Sequence, residues 1–144
     1  MRAPLFKLPY INNQQQFYHL QDDIGKIIII TFWTSWCPDC GTDLPRKEQL
    51  NKTINNPNVK MLTINVTGRE REEKAGANFA DRFLTQPTLS DNGKEIYNLY
   101  QCMGVPTTVI IAPDGTIVDQ FGDQASFNDV LLSIGKLLEK STKS

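Results

Sequence analysis

The sequence predicts an α/β fold, a sheet flanked by helices, and three of its stretches carry that expectation. Residues 26–33, "KIIIITFW", are β-branched and apolar on both faces, as a central strand covered by helices on each side should be. Residues 58–67, "NVKMLTINVT", form a second such run beyond a helical segment, which together make a βαβ unit. Near the C-terminus Phe127, Val130, Leu131, Ile134, Leu137 and Leu138 recur at helical spacing, the stripe of an amphipathic closing helix.

The elements follow in order. "APLFKLPYIN" and "QQFYHL" are short runs with turn-forming Asn12 and Asn13 between them, and they predict an N-terminal hairpin. After the strand at 26–33, Pro38 stands at the permissive first position of a helix, and Asp39 lies where the positive helix end favours an acid. The helix spans "PDCGTDLPRKEQLNKTI", with Pro45 expected to kink it. Thr67 and Glu70 have the spacing of a capping box for a helix running to about Phe83. "SDNG" punctuates, and Ile96, Leu99, Tyr100 and Met103 then fall at helical spacing before a strand that begins just after Pro106. "PDGT" turns the chain into "IVDQF", and Ser126 with Asp129 caps the last helix.

Composition bounds the function. A chain of 144 residues that is 40% hydrophobic has the size of one globular domain with an adequate core. Its net charge of -1, with both signs scattered, offers neither a nucleic-acid footprint nor a polybasic membrane patch. The partner expected is another protein or a small thiol. No apolar stretch approaches the roughly 20 residues that span a bilayer, and no basic segment followed by an apolar one opens the chain. The protein is therefore either cytoplasmic or given without an export or anchor segment.

Two of the three cysteines stand as Cys37-Pro38-Asp39-Cys40, at the end of a central strand and the start of a helix. Backbone N–H groups and the helix dipole favour an anion there, and the anion on offer is the Cys37 thiolate. Cys40 lies one turn further in, placed to resolve a mixed disulfide formed at Cys37. This pattern points to thiol–disulfide exchange. A zinc site ranks lower, because only Cys102 and His19 remain as strong ligands. So does a structural disulfide, since so short a loop restrains the unfolded chain little. Cys102 reads as a small core residue and His19 as a solvated or hydrogen-bonded one.

"FWTSWCPDCGTDLP", followed downstream by "GVPTTVIIAPDG", resembles the thioredoxin superfamily, and more closely its TlpA/ResA-type thiol-disulfide oxidoreductases. The opening "APLFKLPYIN" and the "GK" that leads into the first central strand are similar to that family's N-terminal hairpin. The resemblance implies a thioredoxin-like fold with a central mixed sheet, residues 1–24 as hairpin extension and residues 25–140 as core. It also implies a monomer with no prosthetic group and no metal, working outside the bacterial cytoplasmic membrane. Substrates would be protein disulfides, with an upstream electron donor, in cytochrome c maturation or a similar process. Carried over residue by residue, it makes Cys37 and Cys40 the redox pair. Trp36 becomes a flat surface for the partner chain, and Val105-Pro106 a cis bond that leaves neighbouring backbone free to pair with an extended substrate.

Three departures qualify the resemblance. The buried acid that thioredoxin carries six residues before its nucleophile is replaced by Thr31, which cannot ionise. The Glu of ResA-like members, three residues past the second cysteine, is Asp43 here, and it becomes the expected proton acceptor for Cys40. Asp39 between the cysteines opposes the helix dipole's support of the Cys37 thiolate. Acids near the dithiol favour the disulfide, so the expected activity is reduction, with a potential of roughly -270 mV. A peroxiredoxin would need proline seven residues before its cysteine, where this chain has Ile30. A copper-delivering protein would need a different cysteine spacing and a distant histidine. An oxidant or isomerase, or a non-catalytic binding module of the same fold, remains as the alternative.

Overall fold

A computed structural model describes the backbone of residues 1–143 and the side chains of residues 1–140. Strand β3 (Ile27–Trp33) is buried along its whole length, as its unbroken apolar run requires. On one side it pairs in parallel with β4 (Val59–Asn65), which pairs in parallel with β5 (Thr88–Ser90). On the other it pairs antiparallel with β6 (Thr107–Ile111), followed by β7 (Ile117–Phe121). The hairpin of β1 (Lys7–Tyr10) and β2 (Asn13–His19) adds to the β5 edge. Among the described residues the mixed sheet runs β2-β1-β5-β4-β3-β6-β7. This is a thioredoxin-like α/β architecture with an N-terminal hairpin.

Alternation along β3 divides the core. Ile28, Ile30 and Phe32 point to one face, where Phe32 meets Tyr97 of α3 (Glu95–Leu99) and Tyr100 just beyond it. Ile29 points to the other, among Leu50 and Ile54 of α1 (Pro38–Ile54) and Val130 and Ile134 of α4 (Phe127–Lys143). Trp33 shares that second face and packs on Phe79 of α2 (Ala75–Phe83), ring centroids 5.1 Å apart. The stripe expected on the closing helix is present, with Val130 and Ile134 deepest. Its cap holds in part, since the Asp129 N–H donates to Ser126 Oγ at 3.2 Å.

Three local expectations are corrected. Thr67 and Glu70 do not cap a helix: residues 67–69 form a single 3₁₀ turn, and α2 begins only at Ala75. The Thr67 hydroxyl instead donates to the Asp91 carbonyl, and the Glu70 carboxylate is taken by Ser35 and Asn65. Met103, counted on the face of α3, lies past that helix and is 96% exposed. Asn13 belongs to β2 rather than to the turn before it. Pro45 lies within α1, which continues on both sides of it.

The hairpin is tied to the core by one carboxylate. Asp23 accepts from the Tyr18 hydroxyl at 2.7 Å and from Lys26 Nζ at 2.9 Å, joining β2 to the segment that enters β3. Burial alone would raise the Asp23 pKa, but the hydrogen bonds from Lys26 and Tyr18 and the charges of Lys60 and Lys26 outweigh it and hold the carboxyl below its ordinary value. A folded-state pKa below the unfolded one gives stability that is complete above about pH 4 and is lost as pH falls through the folded value. Asp23→Asn should therefore cost about 1 to 3 kcal/mol at pH 7. Denaturant midpoints of variant and parent should converge below about pH 4.

Candidate active site

Strand β3 ends at Trp33, residues 34–36 cross the end of the sheet, and Cys37 then serves as N-cap of α1 in extended conformation. Pro38 follows within the first turn, as its fixed φ and missing N–H favour. The Cys40 N–H donates to Cys37 Sγ at 3.3 Å, so the first sulfur receives one of the helix's free N–H groups. Both thiols are free; Cys37 retains 8% exposure and Cys40 only 1%. Burial, with the proximity of Cys37 and Asp43, drives the Cys40 thiol well above its ordinary pKa, against the lowering effect of a Thr34 backbone hydrogen bond.

The expected neighbours assemble around this pair. The Val105-Pro106 bond is cis, and Cys37 Sγ lies 3.5 Å from the Val105 carbonyl oxygen, within reach of an S–H···O contact. Trp36 is half-buried beside the dithiol. Its indole N–H donates to the Arg69 carbonyl at 2.8 Å, while the Arg71 guanidinium sits 3.9 Å above the ring. Asp39 is exposed on the first turn. Asp43 lines a cavity of about 170 Å³ with Asp39, Arg46, Pro106, Thr108 and Asp123. Cys102 is buried in the same apolar cluster as Cys37, Cys40 and Val105, where desolvation pushes its thiol up to about 12. His19 is exposed on β2.

Two site residues escaped the sequence reading. Lys47 is fully buried, with Nζ donating to Asp43 Oδ2 at 2.9 Å, Thr31 Oγ1 at 3.0 Å and Thr108 Oγ1 at 2.8 Å. The signal was present, because Cys40, Leu44 and Lys47 fall at i, i+4 and i+7 on one helix face. Glu70 is the other. Its carboxylate accepts from the Ser35 N–H at 2.7 Å, the Ser35 hydroxyl at 2.6 Å and Asn65 Nδ2 at 2.7 Å, fixing the loop that presents Trp36.

Residues 1–120 match the AhpC/TSA family. The chain is 35% identical over 119 residues to the thioredoxin-like protein YneN of Bacillus subtilis, covering 82% of this chain and 68% of that one. It is 30% identical over 118 residues to the thiol-disulfide oxidoreductase ResA of Oceanobacillus iheyensis, covering 80% of this chain and 60% of ResA. Among solved structures it is similar to the exposed lipoprotein thioredoxin Etrx1 of Streptococcus pneumoniae, with a TM-score of 0.79, 25% identity and coverage of 93% of this chain and 100% of the other. It is also similar to StoA of Bacillus subtilis, with a TM-score of 0.71, 25% identity and coverage of 83% and 87%.

Replacing the Glu70 carboxylate should free the loop before Cys37 while the sheet stays intact. Glu70→Ala is expected to cost about 1 to 3 kcal/mol, the range for stranding buried hydrogen-bond groups. Acrylamide should quench Trp36 fluorescence more readily in the variant, while Trp33, buried in β3, stays protected.

Proposed function

As the chain belongs to the AhpC/TSA family and to the TlpA/ResA-type thiol-disulfide oxidoreductases of the thioredoxin superfamily, we propose that it reduces disulfide bonds in other proteins through Cys37 and Cys40. The observation that carries this reading is the seating of Cys37 as N-cap of α1, with Cys40 buried one turn behind it and the Val105 backbone facing it. The Cys37 thiolate attacks one sulfur of the substrate disulfide, that S–S bond breaks, and the released substrate thiolate takes a proton from water. Cys40 then loses its proton and attacks the Cys37 sulfur. The Cys37–Cys40 disulfide forms and the second substrate thiolate leaves. A dithiol donor returns the two electrons and two protons.

Each neighbour has a part in this scheme. Trp36, with its apolar face beside the dithiol, offers a platform for the substrate chain, and backbone at Val105-Pro106 pairs with that chain in extended form. Asp43, one turn past Cys40 and open to the cavity, accepts the resolving thiol's proton directly or through water. Asp39 adds an exposed negative charge on the first turn of α1, and with acids rather than bases flanking the dithiol in sequence the direction we propose is reduction. We place the protein outside the cytoplasmic membrane, by likeness to ResA and to a surface lipoprotein; among the described residues no helix is long and apolar enough to cross a membrane. Cytochrome c maturation is one process that would need such a reductase.

Redox titration against glutathione should yield a potential near thioredoxin's, roughly -270 mV, and a value above about -180 mV would make the protein an oxidant or isomerase. A pair that does not cycle would leave a binding module. Cys40→Ser should accumulate mixed disulfides through Cys37, and Cys37→Ser should not. The reverse pattern would exchange the two roles.

A further inference from the structure

Lys47 is a charged side chain with no exposure, on the helix that carries both cysteines, in a position where an apolar side chain would pack without desolvation cost. Its three hydrogen bonds use all three ammonium protons. Two acceptors are hydroxyls from neighbouring strands, Thr31 of β3 and Thr108 of β6, which stand directly opposite each other in the sheet. The third is Asp43, one turn past Cys40, which also lines the cavity it shares with Asp39 and Pro106. The ammonium thereby ties a carboxylate one turn past the second cysteine to both central strands.

We propose that Lys47 is a positioning residue for the resolving half-reaction: its buried ammonium fixes the Asp43 carboxylate at the cavity and supplies the positive charge against which the Cys40 thiolate forms. This rests on the dithiol reading above. In that step the Cys40 S–H bond breaks and its proton passes to Asp43 and on to solvent through the cavity. The sulfur's electron pair forms the bond to Cys37, the Cys37–substrate bond breaks, and its pair leaves on the substrate sulfur, which takes a proton from water. Lys47 ends the step with the protons it began with.

The charges facing Lys47 determine the sign of the effect. From its own helix come Asp43 and Cys40; from β3 and β6 come Thr31 and Thr108, neither of them titratable. Burial lowers the Lys47 pKa, while Asp43 and a Cys40 thiolate raise it. By reciprocity, a protonated Lys47 makes the Cys40 thiol easier to ionise. An opposite charge within about 4 to 6 Å shifts a pKa by about 1 to 3 units and a more distant one by less, so the effect looked for is about one unit. Losing one unit cuts the thiolate population about tenfold below the pKa, and the gain in nucleophilicity returns about a factor of three.

The test compares Lys47→Met with the parent, following the two half-reactions separately. Resolution, read as release of the second thiol from a preformed mixed disulfide at pH 7, should slow at least about threefold, and its pH profile should move up by about one unit or more. Formation of the mixed disulfide, read in a Cys40→Ser background with and without Lys47→Met, should stay within about twofold, because Cys37 does not use this charge. Equal resolution rates and profiles, or equal slowing of both steps, would overturn the proposal. Should Lys47→Met fail to fold, Lys47→Gln, which keeps a polar partner for Thr31 and Thr108 but removes the charge, is read in the same two assays. Slowed resolution with unchanged mixed-disulfide formation supports the proposal, and equal resolution rates and profiles overturn it. If the parent itself does not cycle, it is the reductase reading that fails. If it cycles and Lys47→Met behaves like it, only the role of Lys47 falls.

Discussion

A lysine ammonium sealed from water is the constraint around which the middle of this structure is arranged. Such a charge persists only if every proton finds an acceptor and a counter-charge lies in contact, and Asp43, Thr31 and Thr108 meet both conditions. The demand extends into the sheet. Thr108, Thr31, Thr63 and Thr88 occupy one row across β6, β3, β4 and β5, each in register with the next. Thr63 accepts from the Trp33 indole at 3.0 Å and donates to Thr88 at 3.0 Å, so each hydroxyl of the row has a hydrogen-bond partner. A one-residue slip of β3 would turn Thr31 away from Lys47 and bring an isoleucine or phenylalanine against it. The lysine thus pins the register of an otherwise uniformly apolar strand.

The opposite flank of the active site depends on a carboxylate in the same way. Glu70 holds Ser35 through backbone and side chain together, and Asn65, which also donates to the Trp33 carbonyl, holds Glu70. Space for that asparagine comes from α2: a Cβ on Gly76 would stand 2.2 Å from Asn65 Oδ1. Glycine there is required by close approach, with its ordinary helical cost accepted in exchange for the Asn65 contact. From Gly76 through Asn65 and Glu70 to Ser35, a chain of contacts links α2 to the loop on which Trp36 is displayed.

Much of the fold was legible in the sequence, because the strongest signals were local. The apolar run of β3, the Pro38 helix start and the strand after Pro106 each rest on a few adjacent residues, and all stand where expected. The site was legible where the cysteine spacing and the Val105-Pro106 bond carried it. Failures arose where a polar residue had two possible partners. Thr67 and Glu70 have a capping spacing, yet Glu70 has three donors waiting on Ser35 and Asn65, more than one N-cap N–H could offer. Lys47 has the i, i+4 spacing to Asp43 of a solvated surface pair, and that reading masked the competing signal that it shares a helix face with Cys40 and Leu44, which is the face that turns inward. Periodicity places Met103 on a helix that in fact ends at Leu99, with Gln101 in left-handed conformation just beyond it.

The replacement of a buried strand acid by Thr31 therefore does more than delete a proton acceptor. In an arrangement with an acid on the central strand, the charge that governs the second thiol belongs to the sheet, and its distance to that thiol depends on how the helix docks. Here the strands contribute only neutral hydroxyls, and Asp39, Cys40, Asp43 and Lys47 all lie on the first three turns of α1. The two thiols and the charges nearest them are spaced by helix geometry alone, one or two turns apart. The Thr31–Thr108 pair makes the lysine's burial tolerable and, by holding two of its three protons, also fixes how α1 sits over β3 and β6. Any shift of α1 across the sheet would strand those protons away from water, so the contact that admits the charge also locks the helix bearing both cysteines to the central strands.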